Sequence, residues 1–297
     1  MALTRKQIQD YKKAGEIASQ AVKFAKKIIK PGMKLFEIAD KIEAEIEKLG
    51  GKCAFPVNLA IDDVAAHFTP ASDSEEVASG LLKVDIGVHV NGDIADTAFS
   101  LDLTKEGKYK ELIASSQEAL DNAIKVAEKN ATLSEIGKTI QDTITNKGFS
   151  PVRNLSGHEL GSWMVHAGIT IPNYENNNQA ALKEGAYAIE PFSTTGTGIV
   201  YDAGKSGIYR LEKEAGVRDS KSREIYNFIL KEYKTLPFCE RWISKKFGSR
   251  AKLALLFLEQ AGILHHYAQL IEKSHAPVSQ AEHTVLILKD KTEVTTR

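Results

Sequence analysis

Residues 85–96 place the strongest constraint on how this sequence can fold, because two strand-like segments flank the dipeptide Asn91-Gly92. Asn-Gly is the strongest short-range signal for a two-residue hairpin loop. Apolar residues alternate along the first segment, as in a strand with one buried face: Val84, Ile86, Val88 and Val90. The sequence therefore predicts an antiparallel hairpin whose first strand is half-buried.

The register of this hairpin brings two aspartates together. If the dipeptide forms the loop, Asp85 pairs with Ala98, and Asp96 shares the face of Ala98 because side chains alternate along a strand. Asp85 and Asp96 are then diagonal neighbours, about 7–8 Å apart. Like charges on such a face repel each other, whereas two divalent cations about 3.5–4 Å apart would hold both carboxylates. The alternative is a bulge that shifts the register and points Asp96 to solvent.

Three further residues are candidates for the same metal site. His158 lies between glycines in Ser156–Gly161, where the backbone would let an imidazole approach a metal, although a plain loop histidine has the same signature. Glu190 ends one apolar strand pattern, and Glu282 begins another. A carboxylate that enters a core needs a metal or a basic partner. No Lys or Arg lies close to either glutamate in the sequence.

These two Asp, two Glu and one His form an oxygen-rich set of ligands. Such a set suits harder divalent ions such as Mn(II) and Fe(II), with Co(II) and Zn(II) also possible. Two divalent ions would cancel the charge of the four carboxylates, and a water between the ions would become acidic enough to act as a nucleophile. The chemistry that these residues imply is hydrolysis.

Helix and strand patterns follow one another without strict alternation, which favours an α+β fold over a doubly wound parallel sheet. The chain is expected to divide into a main domain, residues 1–204 and 276–297, and an insertion, residues 205–275. Helical patterns occur at Thr4–Ile28, Leu35–Leu49, Gly107–Lys129 and Leu133–Lys147, and in the insertion at Arg223–Lys234, Phe238–Phe247 and Ser249–Ala261. Strand-like runs occur at Ala54–Ile61, Val152–Asn154, Ala186–Pro191 and Glu282–Leu288.

Charge is balanced over the whole chain, with 39 Lys and Arg against 39 Asp and Glu. This excludes a wholly basic nucleic-acid binder. The insertion nevertheless contains fourteen Lys and Arg against eight Asp and Glu, a local charge of +6 that leaves −6 on the rest. Any contact with a polyanion is therefore expected on the insertion.

Cysteine use and the N-terminal sequence point to one compartment. Two widely separated cysteines, Cys53 and Cys239, do not form a disulfide framework and suit a reducing environment. The N-terminus has no apolar signal region, and no run approaches the roughly 18 apolar residues of a membrane helix. A cytoplasmic location without membrane contact is expected.

Four motifs match a known family in order and spacing: the Asp85…Asp96 hairpin, Gly157-His158, Glu190-Pro191-Phe192 and Glu282-His283-Thr284. They resemble the five-ligand signature of the methionine aminopeptidases. Further segments and the long insertion are similar to the type II, archaeal form of that family: Ala54–Asn58, Ala65–Pro70 and Trp163–Gly168. The resemblance implies a pseudo-symmetric pita-bread fold with a helical, winged-helix-like insertion, two divalent ions (Co, Mn, Fe or Zn), and removal of the initiator methionine from nascent proteins with a small second residue.

The resemblance also implies roles for individual residues. Asp85, Asp96, His158, Glu190 and Glu282 would hold the metals, with Asp96 and Glu282 bridging, Glu190 relaying a proton, and a metal-bound hydroxide attacking the first peptide carbonyl. His67 and His166 match the histidines that flank the scissile peptide. The apolar slot for the methionine side chain matches Phe55, Val165 and Phe192. Tyr267 would close the slot from a loop in which Ala268-Gln269 replaces the Pro-Pro pair of many relatives.

Three other interpretations stay open at this point. Prolidase-like and aminopeptidase P-like Xaa-Pro peptidases share the fold and ligands but usually carry an additional N-terminal domain, and only about 80 residues precede Asp85. Some family members have lost ligands and bind RNA or protein without catalysis, whereas all five ligands are present here. The winged-helix-like insertion could read DNA, but its apolar run Leu253–Leu258 is more typical of a core. A monomer without specific DNA binding, docking near ribosomal RNA through the basic insertion, is the expected arrangement.

Overall fold

The structure, a computed structural model, describes residues 3–297, so the first two residues of the expected main domain lie outside the described residues. Within that range the helices are α1 (Arg5–Ile28), α2 (Leu35–Lys48), α3 (Lys110–Val126), α4 (Leu133–Asn146), α5 (Ser220–Glu232), α6 (Glu240–Phe247) and α7 (Arg250–Gln260). All seven correspond to helical patterns of the sequence, with ends that differ by a few residues. None of the described helices is long and apolar enough to cross a membrane.

The strands of residues 3–297 form four small sheets. They are β1 (Lys52–Cys53), β2 (Asn58–Ile61), β3 (Val64–Ala66), β4 (Leu81–Val90), β5 (Asp93–Asp102), β6 (Ser150–Pro151), β7 (Ser156–Leu160), β8 (Thr170–Pro172), β9 (Gly185–Ile189), β10 (Phe192–Thr194), β11 (Val200–Leu211), β12 (Phe238–Cys239), β13 (Leu264–Glu272), β14 (Val278–Gln280), β15 (His283–Ile287) and β16 (Thr292–Val294). Strand β4 pairs with β1, β2 and β5; β10 lies between β14 and β6; the order of the third sheet is β12-β11-β13-β3, and that of the fourth is β16-β15-β9-β7-β8.

Helix α1 begins where the sequence predicts. Thr4 caps the helix by accepting a hydrogen bond from the backbone N–H of Gln7, and the Gln7 side chain accepts from the N–H of Thr4. Thr132 and Glu135 form the same reciprocal capping box at the start of α4. Helices α1 and α2 bury their apolar faces against the β4–β5 hairpin in one core cluster. These helices therefore support the strands that carry the two aspartates.

The hairpin has the predicted register, and no bulge intervenes: Asp85 pairs with Ala98, and Asn91-Gly92 is the loop. The prediction that β4 is half-buried is wrong. Lys83 and His89, on the face opposite Val84, are also buried. The apolar face packs on α1 and α2, and the second face is covered by the other half of the molecule, which the alternation of residues along one strand cannot reveal.

His158 lies inside strand β7, so the alternative of a plain loop histidine is wrong. It pairs with Thr170 of β8 on one side and Ala188 of β9 on the other. The preceding glycine is required by strand packing, because a Cβ on Gly157 would lie 2.4 Å from the backbone oxygen of Ala188. Gly157 thus marks the close approach of two backbones, which a sequence pattern does not distinguish from a turn.

The insertion begins and ends in two long strands that the sequence analysis missed. Strands β11 and β13 pair with each other through two register shifts, and β13 continues the sheet by pairing with β3. The helices α5, α6 and α7 pack with this strand pair around an apolar cluster that includes Ile229, Phe238 and Leu258. The irregular β11–β13 ladder lacks the simple alternation that marks a strand in sequence. Tyr267, expected in a loop, lies in β13.

Glu272, at the end of β13, organises two loops. Its carboxylate accepts hydrogen bonds from the backbone N–H and the hydroxyl of both Thr197 and Ser274. A Cβ on Gly196 would lie 2.6 Å from this carboxyl group, so the Gly196-Thr197-Gly198 segment surrounds a carboxylate of the chain itself. Burial would raise the pKa of Glu272, but the hydrogen bonds from Ser274 and Thr197 outweigh it and hold the pKa at about 2.

Glu272→Ala is expected to lower the free energy of unfolding by about 2 kcal/mol, because the part-buried donors of Thr197 and Ser274 lose a charged acceptor. Because the pKa is lower in the folded state, the contribution of Glu272 is present above about pH 4 and is lost as the pH falls towards 2. Urea unfolding at several pH values measures it, with Glu214→Ala, at an exposed position, as the matched control. A loss at pH 7 no greater than that of the control would contradict this role.

Candidate active site

A cavity of about 420 Å³ lies where the β4–β5 hairpin meets β7, β10 and the segment before β15. Every residue that the sequence analysis assigned to the site lines it: Phe55, His67, Asp85, Asp96, His158, Val165, His166, Glu190, Phe192, Tyr267 and Glu282. These residues come from ten different strands and connecting segments of the chain. The structure therefore brings the candidate set together.

Strand register positions the carboxylates. Ala98 pairs with Asp85 on one side and, through an isolated bridge, with Glu282 on the other, so the three residues form one row. Asp96 lies in the adjacent row, and its backbone is held by Thr284, whose hydroxyl accepts from the N–H of Asp96 and donates to its carbonyl oxygen. Two strand pairings thus aim the carboxylates at a common point.

His158 and Glu190 complete the cluster. Ligand atoms of Asp96, His158 and Glu282 all lie within 4.8 Å of one another. The Nε2 atom of His158 lies 3.7 Å from an oxygen of Asp96 and 3.6 Å from an oxygen of Glu190. Glu190 occupies the short segment between β9 and β10, where Pro191 separates the two strands. The separations are those of atoms around a shared cation rather than of hydrogen-bonded pairs.

The electrostatics of this cluster favour bound cations. No lysine or arginine is among the residues that line the cavity. Burial raises the pKa values of Asp85, Asp96, Glu190 and Glu282 well above those of free carboxyls, and the negative charges of neighbouring carboxylates raise those of Asp96, Glu190 and Glu282 further. Burial also lowers the pKa of His158 to about 3, so its imidazole is neutral.

Carboxylate oxygens without hydrogen-bond partners indicate whether divalent ions fit this cavity. Asp85, Asp96 and Glu282 each have a buried carboxylate oxygen without a hydrogen-bond partner among the described residues. Buried polar atoms are nearly always paired, so several unpaired ones facing one cavity call for a ligand. Oxygen-rich coordination with one neutral imidazole matches divalent first-row metals. The residues therefore fit the two cations implied by the sequence.

Metal binding is expected to release protons, because the raised pKa values keep carboxyls of the metal-free cluster protonated. The apparent affinity for Mn(II) should rise by more than about tenfold between roughly pH 5.5 and pH 7.5. Calorimetry in two buffers that differ in ionisation enthalpy measures the proton release, with Asp96→Asn as the variant that should release fewer protons. An affinity independent of pH would contradict this prediction.

Two histidines line the cavity beside the cluster of carboxylates. The rings of His166 and His158 lie 4.3 Å apart between centroids, and His67 contacts Tyr267 edge to face at 5.5 Å. Burial lowers the pKa of His67 to about 4 and also lowers that of His166, so both rings are neutral near pH 7. A neutral imidazole can donate or accept one hydrogen bond at each nitrogen according to its tautomer. Both side chains are suited to hold a polar reacting group.

Apolar side chains form another part of the cavity wall. Phe55, Val165 and Phe192 are each less than 10% exposed and line the space beside the cluster. Gly87 in β4 makes room for this wall, since a Cβ there would lie 2.3 Å from the ring of Phe55. An apolar slot therefore adjoins the candidate metal site.

Several residues in or beside the cavity wall were not among the candidates from the sequence. Gln280 is buried, and its amide lies 3.5 Å from Glu190, a contact that counteracts the rise in the pKa of that carboxyl. The insertion contributes Ile208 and Pro237 to the wall. Gln280 could have been predicted, because it lies two residues before Glu282 in the sequence. Ile208 and Pro237 could not, because only tertiary packing brings them to the cavity.

Comparisons with known proteins identify the family of the chain. The family described as "Metallopeptidase family M24" matches residues 9–220. Methionine aminopeptidase from Pyrococcus horikoshii is 43% identical over 288 residues, covering 95% of this chain and 97% of the relative. The Methanocaldococcus jannaschii protein of the same name is 41% identical over 297 residues, covering 98% and 100%. Methionine aminopeptidase 2 from Clavispora lusitaniae is 35% identical over 311 residues, covering 97% of this chain and 71% of the relative.

Solved structures share the fold. A thermophilic Arx1 superposes with a TM-score of 0.86 at 15% identity, covering 99% of this chain and 91% of the other. Methionine aminopeptidase from Thermotoga maritima gives 0.72 at 21% identity, covering 100% and 99%. The prolidase from Pyrococcus furiosus gives 0.65 at 19% identity, covering all of this chain and 65% of the other. The pita-bread architecture predicted from the sequence is confirmed. The chain belongs to the methionine aminopeptidases of metallopeptidase family M24.

Proposed function

We propose that this protein removes the N-terminal methionine from peptides whose second residue is small. One observation carries the proposal: a single cavity joins the buried carboxylate cluster, two neutral histidines and an apolar slot. Relatives named methionine aminopeptidase match nearly the full length of the chain. The enzyme is accordingly a metal-dependent aminopeptidase, a hydrolase that acts on N-terminal methionyl peptides.

Asp85, Asp96, His158, Glu190 and Glu282 would hold two divalent ions. Asp96, His158 and Glu282 offer ligand atoms within 4.8 Å of one another, so these three residues could bind a common ion. When bound, such ions polarise the scissile carbonyl and acidify a water so that it can attack at neutral pH. Co, Mn, Fe and Zn all fit the donor set.

The remaining polar residues would handle protons and charge. Glu190, whose carboxylate lies 3.6 Å from the His158 ring, would take and return a proton. His67 and His166, neutral and close to the cluster, would donate hydrogen bonds to the carbonyl oxygen or the leaving nitrogen as negative charge develops. Each group directly or closely follows a strand: His67 follows β3, His166 follows β7, and Glu190 follows β9.

The methionine side chain would lie in the apolar slot of Phe55, Val165 and Phe192, where aromatic and aliphatic surface packs against its thioether. Tyr267, which contacts His67, would close the slot. The requirement for a small second residue is carried over from the family resemblance, in which larger residues are refused on the leaving side. Xaa-Pro cleavage is less favoured, because the relatives that match the chain nearly end to end are methionine aminopeptidases.

The proposal extends to the role of the insertion and to the location of the protein in the cell. Residues 205–275 are proposed as an insertion into a catalytic domain of residues 1–204 and 276–297, and the cluster of α5, α6 and α7 supports this division. Its +6 charge supports docking near ribosomal RNA, where nascent chains emerge. A monomer in the cytoplasm is proposed, and both free cysteines suit that compartment. Ribosome co-sedimentation that weakens as salt rises would support the docking, and its absence would refute it.

The activity is tested on chelator-treated protein. Mn(II), Fe(II), Co(II) or Zn(II) is added back, and free methionine is measured from the peptides Met-Gly-Met and Met-Leu-Met beside an Xaa-Pro peptide. Metal-dependent release from Met-Gly-Met, with little release from Met-Leu-Met, is expected. Cleavage of the Xaa-Pro peptide alone would show a prolidase-like enzyme. An absence of cleavage with every metal would instead favour a noncatalytic RNA- or protein-binding module.

A further inference from the structure

A buried ion pair connects the insertion to the main domain. Arg241 at the start of α6 and Glu43 of α2 are 3% and 6% exposed. The guanidinium donates to both carboxylate oxygens, at 2.5 Å and 2.9 Å. The indole N–H of Trp242 donates to the same carboxylate at 2.8 Å. A bidentate pair fixes the orientation of the guanidinium, so its other N–H groups can hold further acceptors in place.

The remaining donors of Arg241 reach the segment that follows His67. One Nη atom donates to the hydroxyl of Thr69 at 3.2 Å, and Nε donates to the backbone oxygen of Pro70 at 3.3 Å. The hydroxyl of Thr69 donates in turn to the backbone oxygen of Val57 at 2.9 Å. The N–H of Val57 donates to Glu43 at 3.2 Å, which closes the network.

The network thus fixes two segments of the cavity wall from behind. Val57 lies two residues after Phe55, and Thr69 lies two residues after His67; Phe55 and His67 line the cavity. The backbone of His67 has φ of +60°, a conformation that non-glycine residues adopt only when the surroundings hold it. The stretch after His67 therefore needs an external anchor to keep the imidazole in place.

We propose that Arg241 is a positioning residue of the active site, through which the insertion holds His67 and Phe55 by way of Thr69 and Val57. This inference rests on the proposed function. A lysine cannot replace the arginine, because a single ammonium cannot reach two carboxylate oxygens, a hydroxyl and a backbone carbonyl in this planar arrangement. The insertion consequently takes part in catalysis without supplying a group that touches the reacting atoms.

Thr69→Val tests the link with little change in shape, and Thr69→Ser is the matched control that keeps the hydroxyl. In metal-loaded protein, Thr69→Val is expected to lower kcat by about tenfold with a smaller change in KM, because His67 acts mainly in the transition state. Thr69→Ser should remain within about twofold of the wild type. Metal stoichiometry should be unchanged in both variants.

A second variant separates positioning from stability. The double substitution Glu43→Leu with Arg241→Met replaces the ion pair by apolar side chains of similar size, which often preserves stability. We expect this variant to fold and to lower kcat at least as much as Thr69→Val does. Unchanged kcat and KM in both variants would show that the network only stabilises the fold, and would overturn the proposal.

A readout without turnover keeps this test independent of the proposed activity. The ring of His67, assigned by comparison with His67→Gln, is titrated by NMR in metal-free protein. Thr69→Val should move its low pKa towards the ordinary value of about 6.5, whereas Thr69→Ser should not. If the wild type releases no methionine, the proposed function fails, and an unchanged titration in Thr69→Val would separately refute the positioning role.

Discussion

Replacing Glu282 with glutamine is expected to abolish methionine release while making the metal-free protein more stable. Loss of one proposed metal ligand should lower kcat/KM by about 10³-fold or more, since metal polarisation supplies several kcal/mol of transition-state stabilisation. Glu282 is fully surrounded by protein and close to Asp96, Glu190 and Asp85, which raise its pKa in addition to burial. An amide of the same shape removes this repulsion.

The stability gain should depend on pH with a definite sign. A carboxyl whose pKa is raised by folding contributes its full stability below the unfolded value, about pH 4.3, and loses it as the pH rises. The Gln variant should therefore match the wild type near pH 4 and exceed it by on the order of 1–3 kcal/mol at pH 8. Thermal unfolding with a chelator measures this difference, with exposed Glu224→Gln as the control. Equal stability of variant and wild type at pH 8 would contradict the proposed repulsion.

His67→Ala should lower kcat by about 10²- to 10⁴-fold while leaving two metal ions bound. His67 lines the cavity but is absent from the closest group of metal-binding atoms, which consists of Asp96, His158 and Glu282. Its loss therefore removes a hydrogen-bond donor to the reacting peptide and leaves the proposed ligands in place. Steady-state kinetics and metal analysis of the same preparation measure both quantities.

His275→Gln is the matched control for this prediction. Its side chain is 64% exposed and pairs with Asp63 away from the cavity lining, so its replacement should leave kcat unchanged. A His67 variant that loses metal together with activity would show that His67 supports the metal centre. Retention of full activity would show that it does not contact the reacting peptide.

Local sequence signals predicted the helices and the hairpin well. Thr4 with Gln7 and Thr132 with Glu135 announce helix starts through contacts made within three residues. Asn91-Gly92 sets the register that aligns Asp85 with Ala98, and from that register the meeting of Asp85 and Asp96 follows. These features depend on neighbours in sequence or across one tight turn, so the residues themselves determine them.

The rest of the site depends on contacts between distant segments. The position of His158 in a central strand depends on Ala188, and the bridge that aligns Glu282 depends on Ala98. Family resemblance supplied these residues in advance, but neither pairing can be read from local patterns. The long β11–β13 ladder escaped prediction for the same reason, because its two register shifts break the alternation that identifies a strand.

The buried network of Arg241, Glu43 and Thr69 was also invisible in the sequence, because its members come from α2, the segment after β3 and α6. Charged residues on amphipathic helices are ordinarily assigned to the solvent face. Here the insertion packs over α2, and the charges face each other in the interior. Tertiary packing therefore determines which charged residues of a helix are buried in ion pairs and which stay exposed to solvent.

The number of divalent ions held by the folded chain tests the central claim most directly. Native mass spectrometry of chelator-treated protein, reloaded with Mn(II) at about pH 7.5, should show two ions per chain, and Glu282→Gln should hold fewer than two. The account predicts that outcome because four carboxylates with raised pKa values converge on a cavity whose lining contains no Lys or Arg. A wild-type chain that remains fully active and folded without any bound metal would contradict the account.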